Sequence, residues 1–95
     1  MPFVLSPRAQ ADLGDIWDHT ERQWGRDQAE RYLRRIESTL ELLAANPALG
    51  RAADTIRPGY RKHPCGSHVI FYRQMDTGID VVRILHRRMD IQRHL

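Results

Sequence analysis

Basic and imidazole side chains are concentrated in the second half of the chain, where they could bind an acidic partner or assist the cleavage of a phosphodiester. Residues 51–95 carry nine Arg and Lys against four Asp, whereas residues 1–50 carry six Arg against eight Asp and Glu. Four of the five histidines also lie in the basic half: His63, His68, His86 and His94. Cations of this kind suit a nucleic acid or an acidic protein surface. Solvated strand edges and loops are an equally good interpretation of the same composition.

Catalysis on RNA would need a general base, cations for the phosphate and an acid for the leaving oxygen. Residues of suitable type fall on three adjacent predicted strands and could share one cationic surface: Arg61, Lys62, His63, Arg73, Arg83 and His86. However, no aromatic residue follows Tyr72, so the end of the chain offers no ring on which a base could stack. The set of residues for this chemistry is therefore incomplete, and we predict no catalytic residues.

The sequence favours neither a disulfide nor a metal site. Cys65 is the single cysteine, so an internal disulfide and a cysteine-based zinc site are both excluded. The histidines at positions 63, 68 and 86 lack a carboxylate or thiol at zinc-ligand spacing, and they are more typical of surface or hydrogen-bonded structural residues. We expect no metal and no other cofactor.

The chain has the size of one small domain. With 95 residues, of which 41% are hydrophobic, it can close one modest core over residues 1–95. We find neither a signal peptide nor an apolar run long enough to cross a membrane, so we expect a cytoplasmic protein without membrane contact.

Apolar residues in the first half recur at helical spacing. The short apolar run 3–5 predicts a strand that ends at Ser6 and Pro7, a good N-cap followed by proline in the first turn. Apolar positions three and four residues apart then predict a helix: Ala9, Leu13, Ile16, Trp17, Thr20 and Trp24. Asp12 falls on the charged face of this helix, and Gly25 ends it.

A second helix is predicted directly afterwards. Asp27 and Glu30 have the spacing of a capping box at its start. Its apolar residues form a regular seam: Ala29, Leu33, Ile36, Leu40 and Leu43. The helix stops before Pro47, because a following proline disfavours the helical conformation at Asn46. The pattern predicts a helical hairpin from about residue 7 to residue 45.

Strands are predicted in the second half. Residues Ala48–Arg57 show no period and predict a loop. Ser67–Arg73 and Gly78–His86 are rich in β-branched and aromatic residues, and they should pair as an antiparallel hairpin. Strict alternation in the second of these strands places Val81 and Leu85 on the same face.

These elements predict an α+β fold in which an N-terminal strand and a helical hairpin pack on a small, mainly antiparallel sheet. The hairpin can cover only one face of the sheet, which leaves apolar surface open to a partner or to the tail. Between Arg87 and Leu95 the tail alternates arginines with Met89 and Ile91, and arginine and methionine both suit the centre of an interface. A target contact and a short strand that covers the open sheet face are both compatible with this pattern.

Taken in order, these pieces resemble the ParE branch of the RelE/ParE toxin superfamily over nearly the whole chain. The most telling are the opening Leu5-Ser6-Pro7-Arg8-Ala9, the central Asn46-Pro47, the strand entry Arg57-Pro58-Gly59-Tyr60-Arg61, the strand Gly66-Ser67-His68-Val69-Ile70-Phe71-Tyr72 and the closing Arg83-Ile84-Leu85-His86. The resemblance implies the toxin of a type II toxin–antitoxin system, which inhibits DNA gyrase by binding and is neutralised by a ParD-like antitoxin.

The same superfamily supplies the alternative function, since RelE-type relatives are ribosome-dependent mRNA endonucleases. Such nucleases often carry an aromatic residue or a His–Tyr pair near the C-terminus, whereas this chain ends Arg93-His94-Leu95. A third hypothesis is an interaction or nucleic-acid-binding module without toxicity.

Two sets of binding residues are expected. Target-binding residues are predicted in the basic half: Arg61, Arg83, His86, Arg87, Arg88, Met89 and Ile91. Antitoxin contacts are predicted on the helices at Trp17, Tyr32 and Leu33, because aromatic residues are favoured anchors for a docked helix, although most aromatics at helical spacing belong to a core.

Overall fold

The computed structural model describes residues 2–89 and 91–95, and within them a helical hairpin packs on one face of a five-stranded sheet. The elements in chain order are β1 (Phe3–Leu5), α1 (Pro7–Trp24), α2 (Arg26–Ala45), β2 (Arg51–Ala52), β3 (Tyr60–Cys65), β4 (His68–Met75), β5 (Gly78–His86) and α3 (Ile91–His94). The strand order is β1-β5-β4-β3-β2, in which β1 runs parallel to β5 and the other pairs are antiparallel. The predicted α+β class is confirmed.

The helical hairpin forms where local signals predict it. The Oγ atom of Ser6 accepts a hydrogen bond from the Ala9 N–H at 3.0 Å and so caps α1. Gly25 joins the two helices with a φ of +89°, which residues with a side chain rarely adopt. The predicted capping box is wrong, because α2 already begins at Arg26 and its N-cap is the glycine, so Asp27 lies inside the first turn.

The core lies between the helices and the sheet. The apolar seam of α2 contributes Ile36, Leu40 and Leu43, each at most 1% exposed, and these residues belong to one cluster with Ile70 and Tyr72 of β4. Burying a side chain of this size stabilises the fold by about 1.5–3 kcal/mol. The seam therefore acts as its spacing predicts.

A β-bulge in β5 changes which residues face this core. The pairs on either side of the bulge are Phe71 with Arg83 and Tyr72 with Val81. Val82 is left as an extra residue, which reverses the alternation, so Val81 and Ile84 both join the core cluster. The prediction that Val81 and Leu85 share a face is therefore wrong, since Leu85 is buried outside that cluster.

The segment predicted as a loop is partly regular. Pro47–Leu49 forms a turn of 3₁₀ helix, and β2 adds an edge strand to the sheet by pairing with β3. A strand of two residues is too short to show an alternating pattern in the sequence. Across the part of the chain that the structure describes, no helix is long and apolar enough to span a membrane.

The tail forms the short helix α3 instead of the strand considered as one alternative. The main-chain oxygen of His94 accepts a hydrogen bond from Arg83 of β5, and that of Leu95 accepts one from Arg57 in the β2–β3 connection. Asp90, which belongs to the predicted tail segment, lies outside the described residues. The tail is thus tied to two separate parts of the sheet region.

Candidate functional site

Arg83 of β5 is engaged in a buried ion pair. Its Nε and Nη2 atoms donate to the two carboxylate oxygens of Asp12 of α1, both at 2.8 Å, and its Nη1 donates to the His94 oxygen at 2.7 Å. The same carboxylate accepts the Ile84 N–H at 2.9 Å and is 9% exposed. The hydrogen bonds to Asp12 raise the pKa of Arg83. The expectation that Asp12 belongs to a solvated face is therefore wrong.

The six residues predicted to share one cationic surface are divided between the two faces of the sheet. Arg61 and Lys62 are neighbours in β3 and point to opposite faces, and Lys62 lies in one row with Phe71 and Arg83. Arg61 is half-buried, and its Nη1 donates to the Gly50 oxygen at 2.7 Å. The charges of Arg61 and Arg83 are thus directed at the protein itself.

A basic turn follows β5 and comprises Arg87, Arg88 and Met89. All three residues are exposed, and the Met89 side chain is 45% exposed. Each main-chain N–H of the turn has a partner: that of Arg87 donates to the Ser67 oxygen at 3.0 Å, that of Arg88 to His86 Nδ1 at 3.1 Å, and that of Met89 to the His86 oxygen at 2.9 Å. The turn therefore holds its backbone in place while its two arginine side chains face solvent.

The two histidines beneath this turn are packed together with a tyrosine of α2. Tyr32 Oη lies 2.6 Å from His68 Nδ1 and accepts the Ser67 N–H at 3.1 Å. The rings of His68 and His86 meet edge to face, with centroids 5.3 Å apart and an interplanar angle of 80°. Burial, with a smaller contribution from the charge of His86, lowers the pKa of His68 to about 4. His68 is therefore neutral at physiological pH.

A cavity of about 500 Å³ opens between α1 and the end of the sheet that carries these histidines. Its lining consists of Asp12, Asp15, Ile16, Asp18, His19, Thr20, Arg22, His68, His86 and Met89. Among the described residues, no three His, Cys, Asp or Glu are grouped so that they could hold a metal ion. Because acidic and basic side chains both line this cavity, its charge does not indicate one class of ligand.

A smaller apolar groove of about 130 Å³ lies where β1 meets the two helices. It is lined by Phe3, Leu5, Leu13, Leu33, Ile36, Glu37 and Leu40. Of the three predicted antitoxin contacts, Leu33 lines this groove, whereas Trp17 and Tyr32 are half-buried outside its lining. Trp24, predicted on the apolar face of α1, is 72% exposed. The groove is thus an apolar surface assembled from three elements.

The structure divides the predicted target-binding residues into three groups. The basic turn is exposed, His86 and Ile91 are half-buried on either side of it, and Arg61 and Arg83 make internal hydrogen bonds. The imidazole of His68 contacts the Tyr32 hydroxyl, and the guanidinium of Arg83 is paired with the Asp12 carboxylate. Sequence patterns missed Asp12 and the Tyr32–His68 pair, because both join residues that are far apart in the chain. His68 and Arg83 are thus both engaged by partners within the protein.

Comparison with known proteins places this fold among toxins. A family profile described as "ParE toxin of type II toxin-antitoxin system, parDE" matches residues 3–91. Toxin ParE1 of Mycobacterium tuberculosis is 57% identical over 94 residues, which cover 98% of this chain and 96% of that protein. Toxin ParE1 of Caulobacter vibrioides is 43% identical over 94 residues, with 99% and 97% covered. Toxin ParE of Escherichia coli is 34% identical over 95 residues, with 98% and 91% covered.

A solved structure described as "Chromosomal ParDE TA system from P. aeruginosa" has the same architecture. It superposes with a TM-score of 0.77 at 26% sequence identity, over 90% of this chain and 95% of that chain. The likeness therefore extends over most of both chains.

Proposed function

The chain belongs to the ParE family of toxins of type II toxin–antitoxin systems, and we propose that it binds DNA gyrase through the basic turn and a ParD-like antitoxin through the apolar groove. In this proposal the toxin inhibits gyrase in the cytoplasm by binding, without a catalytic step of its own. The two surfaces are built from different elements, so each can be altered separately.

The exposure of the basic turn is the observation that carries the gyrase proposal. Arg87 and Arg88 present two guanidinium groups to solvent beside the exposed Met89, whereas Arg61 and Arg83 are used internally. Arginine and methionine are enriched at protein interfaces, and exposed cations speed association with an acidic partner surface. The turn therefore offers both charge and apolar area to a target.

The apolar groove supports the antitoxin proposal. Among the described residues its lining is aliphatic or aromatic apart from Glu37, which is charged. An amphipathic helix can place alternate-turn apolar side chains into such a groove, which is a common mode of recognition. Leu33 lies within it and is the antitoxin contact we favour among the three predicted from the sequence, because Trp17 and Tyr32 are not part of the groove lining.

Gyrase inhibition is tested by charge reversal in the basic turn. Purified toxin with Arg87→Glu and Arg88→Glu should need a roughly tenfold higher concentration for half-maximal inhibition of supercoiling, a loss of about 1.4 kcal/mol. The control is Arg26→Glu with Arg31→Glu on α2, which changes the net charge equally at two exposed positions. Equal inhibition by both variants and the unaltered toxin would remove the basic turn from the proposal.

The same preparation distinguishes the RelE-type alternative. Unaltered toxin should inhibit purified gyrase and leave mRNA on translating ribosomes intact. Cleavage of ribosome-bound mRNA without gyrase inhibition would replace the proposed activity by that of an mRNA endonuclease.

Antitoxin binding is tested by placing a charge in the groove. Leu33→Asp should weaken affinity for the cognate antitoxin by about 30-fold or more, because an apolar anchor at an interface contributes about 2 kcal/mol. Leu42→Asp is the matched control, since Leu42 lies on the same helix, is 49% exposed and lines no part of the groove. Thermal unfolding of both variants must be cooperative, so that lost affinity is not lost folding. Equal affinity of both variants would rule out the groove.

A further inference from the structure

We propose that Tyr32, His68 and His86 form a positioning chain that fixes the backbone of the basic turn, so that Arg87 and Arg88 are presented to the target in one arrangement. The proposal rests on the target-binding function proposed above and adds residues that act without touching the target. It gives Tyr32 a different role from the antitoxin contact predicted from the sequence.

The chain begins where α2 meets the turn between β3 and β4. The Tyr32 hydroxyl accepts the Ser67 N–H at 3.1 Å and lies 2.6 Å from His68 Nδ1 and 3.3 Å from the Cys65 oxygen. The hydroxyl has one proton, and the shortest contact favours donation to His68 Nδ1. We therefore assign the neutral His68 tautomer with its own proton on Nε2.

The β3–β4 turn is shaped to admit the tyrosine ring. Gly66 has a φ of +60°, and a Cβ atom built on it would lie 2.7 Å from both Cε1 and Oη of Tyr32. A residue with a side chain would therefore be strained and would displace the ring. Tyr32 is only half-buried, so this close fit indicates a specific hydrogen-bonded contact as well as apolar packing.

His68 passes this restraint to β5. His68 and His86 are paired across β4 and β5, and their rings meet edge to face with centroids 5.3 Å apart. A ring contact of this kind restricts the rotamer of the outer ring, because aromatic pairs prefer edge-to-face or offset geometry. Tyr32 of α2 therefore helps to orient His86 Nδ1 through its contact with His68.

His86 and Ser67 then hold the basic turn itself. His86 Nδ1 accepts the Arg88 N–H at 3.1 Å and the His86 oxygen accepts the Met89 N–H at 2.9 Å, while the Ser67 oxygen accepts the Arg87 N–H at 3.0 Å. Tyr32 contacts Ser67 directly, and it is linked to His86 through His68. A turn that is ordered before binding loses less conformational entropy when it meets its target.

Two replacements of His86 distinguish its role as a hydrogen-bond acceptor from the packing of its ring. In His86→Asn the amide oxygen can accept the N–H two residues ahead, as it does in Asx turns, whereas His86→Leu has no acceptor. We expect His86→Leu to speed hydrogen exchange of the Arg88 amide and to raise the half-inhibitory toxin concentration by about fivefold to tenfold. His86→Asn should restore slow exchange and inhibition to within about twofold of the unaltered toxin. Equal behaviour of the Asn and Leu variants would overturn the role of Nδ1.

Replacement of Tyr32 tests the start of the chain without touching the turn. Tyr32→Phe removes only the hydroxyl and should speed amide exchange at Arg87 and Arg88, weaken inhibition and leave antitoxin affinity unchanged. The ¹⁵N chemical shifts of His68 should change from a single Nε2-protonated tautomer to a mixture of tautomers. Tyr60→Phe is the control, because Tyr60 lies on β3 outside this chain of contacts.

The outcomes separate this proposal from the proposed function. If exchange at Arg88 is unchanged in both His86→Leu and Tyr32→Phe, the positioning chain is overturned, whatever the target. If Tyr32→Phe lowers antitoxin affinity and leaves the turn and inhibition unaffected, Tyr32 is an antitoxin contact instead. If exchange responds as expected and reversal of Arg87 and Arg88 leaves gyrase inhibition intact, the chain of contacts stands and the proposed target surface fails.

Discussion

Arg83 and the pair Arg87–Arg88 lie close together at one end of β5, yet their charges are used in opposite ways. Arg83 donates to Asp12 and to the His94 oxygen, and its side chain is 15% exposed. Arg87 and Arg88 are exposed, and the bonds that they make within residues 2–89 and 91–95 come from their main-chain N–H groups. A count of basic residues in the sequence therefore overstates the charge that a partner can meet.

The difference arises because β1 is shorter than β5. β1 pairs with Ile79 to Val81, so the rest of that edge of β5 has no strand beside it. The chain that leaves β1 supplies the missing partners, since Ser6 Oγ donates to the Val82 oxygen at 2.7 Å and Asp12 accepts the Ile84 N–H. A carboxylate held at this edge attracts the nearest cation, which is Arg83. Beyond the strand no such acceptor is present for Arg87 and Arg88 among the described residues.

The largest effect is expected from removing the carboxylate that engages Arg83. Asp12→Ala leaves a buried guanidinium and a buried N–H without their partner, which costs about 3–5 kcal/mol in the free energy of unfolding. Glu30→Ala breaks the exposed pair with Arg34 and should cost less than about 0.5 kcal/mol. Urea unfolding of both variants measures the difference. Similar costs for the two would mean that Arg83 is no more committed to the fold than a surface residue.

A double-mutant cycle measures the coupling between Asp12 and Arg83 directly. Arg83→Met in the Asp12→Ala background removes the stranded charge, so the double variant should be about 1–3 kcal/mol more stable than the sum of the two single effects predicts. The measurement is the unfolding free energy of all four proteins. Additive effects would show that the two side chains contribute independently.

Local sequence patterns predicted the helices and strands, whereas contacts between distant residues determine which charged side chains are buried. Ser6 as a cap and Asn46 as a helix end were predictable because their signals lie within one turn of helix. The Asp12–Arg83 pair joins positions 71 residues apart, and the Tyr32–His68 contact joins positions 36 apart. Contacts over such spacings produce no periodic pattern in the sequence. For this reason Asp12 was predicted on the charged face of its helix and Arg83 among the target-binding residues.

The bulge in β5 shows the same limit within a single strand. Strict alternation is a good guide only while each residue has one partner on the neighbouring strand. Some bulges are marked by a glycine, but the extra residue here is Val82. The sequence around it therefore gave no signal that the following side chains change face. The exposure of the basic turn was predictable in part, because Arg87 and Arg88 follow the end of a recognisable strand.

The half-buried His68 should make the free energy of unfolding depend on pH, unlike the exposed arginines of the basic turn. His68 has a folded-state pKa of about 4 against 6.5 for the free side chain, because burial and the neighbouring charges of His86 and His19 outweigh the attraction of Asp12. The unfolded chain therefore binds a proton that the folded chain does not, and stability falls as the pH drops from 6.5 towards 4. Allowing for solvent screening of a half-buried group, the loss is about 1–2 kcal/mol.

His68→Asn is the variant that isolates this contribution. Its amide oxygen can still accept the Tyr32 hydroxyl, but it does not titrate. The unfolding free energy of His68→Asn should vary less between pH 6.5 and pH 4 than that of the unaltered protein. Parallel pH profiles for the two proteins would show that His68 is protonated in the folded state as readily as in the unfolded state.

The smallest change in stability is expected where the charges are free. Arg87→Gln with Arg88→Gln removes two exposed guanidinium groups and keeps every main-chain hydrogen bond of the turn, so the free energy of unfolding should stay within about 0.5 kcal/mol of the unaltered value. Binding to the proposed target should nevertheless weaken by about threefold, less than on charge reversal, and become less sensitive to salt, because screening acts on exposed cations. Arg83→Gln is the opposite control: it should lower stability by at least about 2 kcal/mol, since the buried Asp12 carboxylate loses its partner. Titrations of target binding at low and high salt, together with urea unfolding of each variant, measure both quantities. If neutralising the basic turn lowered stability as much as Arg83→Gln does, the contrast between committed and available charge would be lost, and the turn would have to be regarded as part of the fold.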